Sequence, residues 1–513
     1  MGTQLANTNV GIRLRDILPD ARFIGAEEVY FQSCCGLWND CQTNDLFVAI
    51  MGAEQDGHDF TQEAINRGAA AIVTERLLTT DRPQCIVQDS RQAYGQICQA
   101  LAGQPSQRLL AVGVTGTDGK TVTSHLVSSI FKAAGQRAGL VSSIEVDNGR
   151  NRQTVPNQEL NPPWLAEQLT QMVMADCQCA VIETPSVALA KRCLSGVSLD
   201  IAVLTNIRQN HLHQHGSPSN YRRAKMRLLD QLKPSGLAIL NADDPTTHFL
   251  LDEIETPVLT IGIKQEAEVS AAVIERTGSE QTFMITAGSE SIPVRTSIIG
   301  DQHIYNCLAA TAVGLAANIE LSTIARGLES AGNIPGRLER IECGQSFGVW
   351  VDSARSTGQL ATAIKALRQV TQGKLWCICS TEEGQTKTHR QRMGEIIERA
   401  ADQAVITRAA ADQHIDYEPV HQVLDGFSDP EKAQLIPNRF KAIEWTLQQA
   451  KPGDAVLVAG CGERPFALIG DQNWTITDRD VCQAWLYDHA SLSPDETKAD
   501  FGPQIYNIND YEM

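Results

Sequence analysis

The sequence predicts an α/β protein built from three domains. Three observations carry this. Short apolar runs alternate with amphipathic, helix-like segments along most of the chain, the pattern of parallel sheets covered by helices. A glycine-rich turn, Thr115-Gly-Thr-Asp-Gly-Lys-Thr121, lies between one such run and one such segment. The length of 513 residues corresponds to about three folding units of ordinary size.

Residues 1–106 form the first block. A strand is expected over 45–50, a turn over 52–58, a helix over 60–68 closed by Gly68, and strands over 69–73 and 85–87. A helix over 90–102 follows with Ser90 as its N-cap, and Pro105-Ser106 reads as a linker. The second block, 107–334, opens with a strand over 109–114, the glycine turn and a helix over 123–134. Strands are expected over 179–183, 200–205 and 236–241, with a helix over 221–232. A β-rich insertion over 256–297 and an alanine-rich helix over 301–317 complete the block. Pro335-Gly336 marks the entry to the third block, 335–513. There strands over 347–352, 374–379, 403–406 and 454–459 alternate with helices over 359–368, 389–401 and 437–450, the last with Pro437 in its first turn. The polar, acidic segment beyond residue 490 reads as a mobile tail.

Lys+Arg 43 against Asp+Glu 61 gives a net charge of −18. That balance argues against a nucleic-acid or anionic-membrane binder, so any anionic ligand must be met by local positive charge. The N-terminus lacks a charged-then-apolar leader and no run reaches the length of a membrane span, so a cytoplasmic location is expected. The 14 cysteines are scattered. Cys34-Cys35 and the two Cys-x-Cys pairs lack the spacing of a zinc site with a second pair, so buried free thiols are expected.

The glycine turn is a candidate phosphate cradle. Backbone N–H groups and a helix N-terminus face an anion there, Lys120 supplies a point charge, and the Thr121 hydroxyl can hold Mg2+. The usual motif places glycine five residues before Gly119, where this chain has Val114. Three more groups follow in the same block. Glu183 ends a strand, a natural Mg2+ position on an α/β sheet. His211 follows another strand, and Lys225 closes Tyr221-Arg-Arg-Ala-Lys225. A carboxylate, an imidazole and a second lysine near a phosphate loop suit metal-assisted phosphoryl transfer.

The order of these motifs resembles the Mur ligases of peptidoglycan synthesis, most of all the branch that adds the third amino acid to UDP-N-acetylmuramoyl-L-alanyl-D-glutamate. Asp45-Leu-Phe-Val-Ala and Thr205-Asn206 lie in that order, as do His211-Leu-x-x-His215-Gly216, Asn241-x-Asp243-Asp-Pro245 and Pro335-Gly-Arg-Leu-Glu-Arg340. The resemblance implies a small N-terminal α/β domain, a central phosphate-loop ATPase domain with a parallel sheet, and a Rossmann-like C-terminal domain. It also implies a reaction. ATP phosphorylates a carboxylate, an amine attacks the acyl phosphate, an amide forms, and ADP and phosphate leave. By the same resemblance, Thr115, Gly116, Thr117, Asp118, Gly119, Lys120 and Thr121 hold ATP. Thr121 and Glu183 hold one Mg2+, and His211 a second. Lys225 is carbamylated by CO2 and organises metal and substrate. Asn306 contacts adenine, Arg337 the phosphates and Asp352 the ribose, while Ser186 remains from a substrate motif. The implied partners are ATP and a small acceptor of the UDP-muramyl-peptide kind, with the enzyme acting as a monomer.

The departures from the family pattern fall together. Leu37-Trp38-Asn39 stands where the family has Asp-Ser-Arg for the uridine nucleotide. Pro185 and Val187 break the Glu-x-Ser-Ser-His motif, and the Gln and Arg beyond it become Lys191 and Cys193. Asp-Tyr-Ala-His becomes Asp352-Ser-Ala-Arg355, and the loop that reads diaminopimelate becomes Ala409-Ala-Ala-Asp412. Positions serving ATP and metal are present, while those reading the sugar and the incoming amino acid are replaced. Two readings follow. One is an amide-forming ligase with an altered substrate. The other is a catalytically silent relative that binds nucleotide and acts structurally or in regulation. The coexistence of Lys120, Thr121, Glu183, His211 and Lys225 favours the first, since such a set has little packing reason to occur together.

Overall fold

The computed structural model describes residues 11–52, 55–155, 159–208, 212–251, 254–381, 385–408, 417–468, 471–489 and 506–507. The chain divides into two units, Met1–Ile261 and Gly262–Met513. Residues 107–334, expected as one central block, are thus shared between them. The expected tail beyond residue 490 lies outside the described residues, apart from 506–507.

The first unit holds a small antiparallel pair, Ile12–Arg13 with Tyr30–Phe31, and two larger sheets. The N-terminal one orders Arg22–Ile24, Gln84–Ile86, Ala71–Thr74, Leu46–Val48 and Cys34–Cys35, with every pair but the first parallel. Buried Leu46, Val48, Val73 and Ile97 form its core. The helix Ser90–Leu101 corrects one expectation: Asp89 is the N-cap, its carboxylate accepting from Gln92 N at 2.9 Å. Ser90 instead turns inward and bonds Glu75 through N and Oγ, both at 2.8 Å. Pro105 and Ser106 are not a loose linker either. Both are buried in the turn Pro105–Arg108, and Ser106 Oγ accepts from Ser198 N at 3.0 Å. The connection between the helix Ser90–Leu101 and the strand Leu110–Thr115 is thus folded and packed at Pro105 and Ser106. An Arg192–Asp89 ion pair at 3.0 Å ties the halves of this unit together.

The second sheet runs parallel through Ala138–Val141, Cys179–Glu183, Leu110–Thr115, Leu199–Leu204, Leu232–Asn241 and Val258–Gly262. Strands buried on both faces read as continuous apolar runs, which is why they were legible. The register sets Glu183 beside Val114 and Leu204 beside Thr115, so the carboxyl ends of three neighbouring strands lie side by side.

The second unit carries an antiparallel meander, Val269–Arg276, Gln281–Ala287 and Glu290–Thr296, with the helices Asp301–Ala316 and Leu321–Ser330. A six-stranded sheet follows in the order Glu339–Ile341, Gly348–Asp352, Ala455–Ala459, Leu375–Thr381, Gln403–Arg408 and Ala433–Leu435, parallel except for its first pair. The helix Thr357–Arg368 begins before its expected start because Ser356 and Gln359 form a complete capping box. The helix Arg439–Gln449 starts after Asn438, whose side chain accepts from Lys441 N at 3.0 Å. Pro437 therefore precedes the cap rather than occupying the first turn. Among the described residues no helix is long and apolar enough to cross a membrane.

Candidate active site

The turn that follows Leu110–Thr115 is shaped by backbone demands. A β-carbon at Gly116 would collide with Thr205 Oγ1, so only glycine lets the chain pass. Gly119 takes a left-handed φ of 86° and leads into the helix Lys120–Ala133. No side chain caps that helix, so its first-turn N–H groups are left for an anion.

The turn is clamped from the neighbouring strand. Asn206 accepts from Asp118 N and donates to Asp118 O, both at 3.0 Å, and Thr205 Oγ1 donates to the same carbonyl at 2.6 Å. Thr117 N donates to Asn206 O at 2.9 Å, and Tyr221 OH donates to Thr117 Oγ1 at 3.0 Å. Arg208 lies 3.6 Å from the Asp118 carboxylate. Behind this clamp Asn241 Nδ2 donates to Thr205 O at 3.2 Å. Asp244 caps the helix Pro245–Leu250 and also receives Ile207 N at 3.4 Å. Thr205-Asn206 and Asn241-x-Asp243-Asp244 therefore act as scaffold for the loop, a role their sequence order did not disclose.

At the loop's mouth Thr121 Oγ1 lies 3.0 Å from Glu183 Oε1 and 3.1 Å from Ser143 Oγ. Ser143 N donates to Glu183 Oε2 at 2.8 Å. Ser143 was not singled out from the sequence, since a lone serine 22 positions from Thr121 carries no motif. Lys120 Nζ donates to Gly116 O and Thr117 O at 3.1 Å each, and Lys225 Nζ donates to Gly116 O at 2.5 Å. Lys225 is 1% exposed, with its ammonium 4.7 Å from the Tyr221 ring centroid. Burial, reinforced by the neighbouring charge of Lys120, holds its pKa well below the usual lysine value. Two lysines on one carbonyl, beside a hydroxyl–carboxylate pair, make a site shaped for an anion and a hard cation. Ser186 Oγ lies 3.0 Å from His215 Nε2, whose ring meets Tyr221 edge-on at 5.1 Å. His211, the expected second metal ligand, lies outside the described residues.

The remaining expected ATP residues belong to the second unit. Arg337 pairs with Glu463 at 3.1 Å and also donates to Gly336 O and Ser353 Oγ. The Asp352 carboxylate accepts Leu338 N and Ala354 N, both at 2.7 Å. Burial raises its pKa to about 6, against the pull of those two bonds and of Arg337. Asn306 is buried in the helix Asp301–Ala316, 3.5 Å from Gln302 Nε2.

Family models match three stretches: the Mur ligase family catalytic domain over 39–100, the Mur ligase middle domain over 114–314, and the Mur ligase glutamate ligase domain over 336–462. The chain is 34% identical over 446 residues to the UDP-N-acetylmuramoyl-L-alanyl-D-glutamate–2,6-diaminopimelate ligase of Geobacillus thermodenitrificans, covering 86% of this chain and 91% of that one. The chain belongs to the Mur ligase family. It is 35% identical to the ligase of the same name from Bacillus velezensis over 453 residues, 86% and 91% of the two chains. A solved structure of a ligase of that name superposes with a TM-score of 0.69 at 22% identity, over 94% of this chain and all of that one, which establishes the fold.

In this Mur ligase several residues that depart from the family pattern have partners of their own. Trp38 stacks on Phe60 with ring centroids 5.9 Å apart. Cys193 is buried, and Lys191 pairs with Glu159 at 3.4 Å. Arg355 donates to the carbonyls of Gly460 at 2.7 Å and Cys461 at 3.3 Å. Ala409–Asp412 lies outside the described residues.

Proposed function

We propose that this chain is an ATP-dependent ligase that joins an amino acid to a UDP-muramyl-dipeptide-like acceptor through an acyl phosphate. The observation that carries the proposal is the convergence of Lys120, Lys225 and the Thr121–Glu183–Ser143 cluster at the carboxyl ends of adjacent parallel strands, the place where such sheets bind ligands. The relatives above are named as ligases joining 2,6-diaminopimelate to UDP-N-acetylmuramoyl-L-alanyl-D-glutamate, and this chain spans nine-tenths of the first one's length.

The loop 115–121 holds the nucleotide, with backbone N–H groups and Lys120 on its phosphates. Phosphate oxygens displace the carbonyls that the two lysines now hold. Thr121 and Glu183 offer oxygen donors only, which suits Mg2+; bound Mg2+ supplies charge compensation for the phosphates. His211 would add a second such position. Burial and the neighbouring charge of Lys120 lower the Lys225 pKa and so favour the free amine, the form that takes up CO2, relative to an ordinary lysine. Asn306, Arg337 and Asp352 serve adenine, phosphates and ribose, and Ser186 serves the acceptor. The three blocks act as the three domains of a monomeric, cytoplasmic enzyme. Ala409-Ala-Ala-Asp412, standing where the family has the loop that reads diaminopimelate, points to another incoming amino acid.

The test is phosphate release from ATP and Mg2+ with the UDP-muramyl-dipeptide and a pool of amino acids. Release that depends on both acceptor and amino acid is expected. Its absence across the whole pool, with ATP still bound, supports the silent reading instead.

A further inference from the structure

The N-terminal sheet carries a side-chain cluster that the ligase reaction does not use. Cys35 ends the strand Cys34–Cys35, Cys41 follows the turn Trp38–Asp40, and Asp45 precedes the strand Leu46–Val48. All three are buried, at 5%, 2% and 6% exposure. Their sulfurs and a carboxylate oxygen lie within 4.8 Å of one another, the one such grouping of three among the described residues. The cysteine spacing does not show this, because a single loop folds back on itself and supplies the third donor from an aspartate.

We propose that Cys35, Cys41 and Asp45 form a binding site for a thiophilic divalent cation of the Zn2+ class. The donor set is two thiolates and a carboxylate, which favours zinc over the Mg2+ that the phosphate loop takes. A tetrahedral zinc with Zn–S bonds of about 2.3 Å holds its sulfurs about 3.8 Å apart, so the two sulfurs need to close by no more than about 1 Å. Three protein ligands leave the fourth position to water. The ligands are already oriented. Asp45 Oδ2 accepts Gln42 N at 2.8 Å and Oδ1 accepts Ser33 Oγ, the kind of outer hydrogen bonding that fixes ligating carboxylates. The loop is pinned where Asn44 N donates to Gly68 O at 2.8 Å and Arg67 Nε donates to Cys41 O at 3.3 Å. Cys34 is not a ligand. It faces the other side of the strand, 3.9 Å from Cys98 Sγ, and so provides an internal control. Binding converts two thiols to thiolates and releases two protons, so affinity rises with pH. The cation would clip the loop 36–45 onto the sheet.

The probe is Co2+ titrated into the reduced, metal-free full-length chain. One equivalent is expected to give sulfur-to-cobalt charge-transfer absorption with the intense visible bands of tetrahedral cobalt, both erased by Zn2+. Cobalt at the phosphate loop has oxygen donors and gives no sulfur band. The signal is expected to vanish in Cys35→Ser and Cys41→Ser and to persist in Cys98→Ser. Where the serine variants fail to fold, alkylation of the wild type in partly denaturing urea, which opens these buried thiols to the reagent, decides: Zn2+ should protect Cys35 and Cys41 from iodoacetamide and leave the other cysteines unchanged. No sulfur band, a band that survives both variants, or equal alkylation with and without Zn2+ overturns the proposal.

Discussion

Replacing Lys225 by methionine should make the protein more stable and disable it as an enzyme. The side chain is 1% exposed, and its ammonium has one strong acceptor, Gly116 O at 2.5 Å. That carbonyl keeps a second donor, Lys120 Nζ at 3.1 Å, so the substitution orphans no backbone group. Methionine fills nearly the same volume and keeps contact with the Tyr221 ring. What disappears is a buried charge next to another cation. Replacing buried ionic groups with apolar ones of similar size gains about 1–3 kcal/mol, or roughly 2–4 °C in Tm per kcal/mol. The sign with pH follows from the depressed folded-state pKa. Between that pKa and the unfolded value the unfolded chain binds more protons, so wild-type stability rises with pH. The advantage of methionine is therefore largest at low pH and fades as pH approaches the unfolded value of 10.5. Calorimetry in CO2-free buffer across pH measures it. Acceptor-dependent phosphate release should fall by about 10²-fold or more, the scale of losing one preorganised charged group, and short carboxylic acids should restore part of it in Lys225→Ala. A lowered Tm, an advantage that grows with pH, or activity within about threefold of wild type would refute the reasoning.

Three further predictions follow from the geometry. Arg439 and Asp478 form a fully buried pair with two 2.6 Å bonds; Arg439→Met should cost about 3–5 kcal/mol in urea unfolding by stranding the carboxylate, and adding Asp478→Leu should recover much of it. Asp352 has its pKa raised from 3.8 to about 6, so the folded state binds the extra proton in that window and its contribution is present below pH 3.8 and lost as pH rises through 6. That loss is about 3 kcal/mol, and Asp352→Asn should flatten this part of the stability profile, measured as the wild-type-minus-variant difference. Gly116→Ala should weaken ATP binding by about tenfold or more in calorimetric titration, because the new β-carbon meets Thr205 Oγ1 and must push the loop off its clamp.

The glycine turn with Lys120-Thr121, the parallel strands and most helices were written locally. An apolar run of strand length, a glycine at a turn and a lysine–threonine pair are signals within a few residues of one another, and backbone sterics enforce them wherever the chain goes. Local competition was harder to read. Asp89 beat Ser90 for the cap because Glu75, 15 positions away, took the serine. Asn438 displaced Pro437 from the first turn because its side chain reaches Lys441 N.

The sequence by itself determined the strand–turn–helix cradle, the family and the types of the charged groups gathered at the cradle's mouth, because each is encoded by neighbours along the chain. Only the tertiary structure decided how those groups are held. Asn206 reaches Asp118 across 88 positions, Lys225 reaches Gly116 across 109, and Ser143 joins Thr121 and Glu183. It also brought Asp45 to Cys35 and Cys41. Such pairings depend on sheet register and loop closure. These are set by the packing of the whole unit, so the donor and acceptor types are visible in the residues while their partners are not.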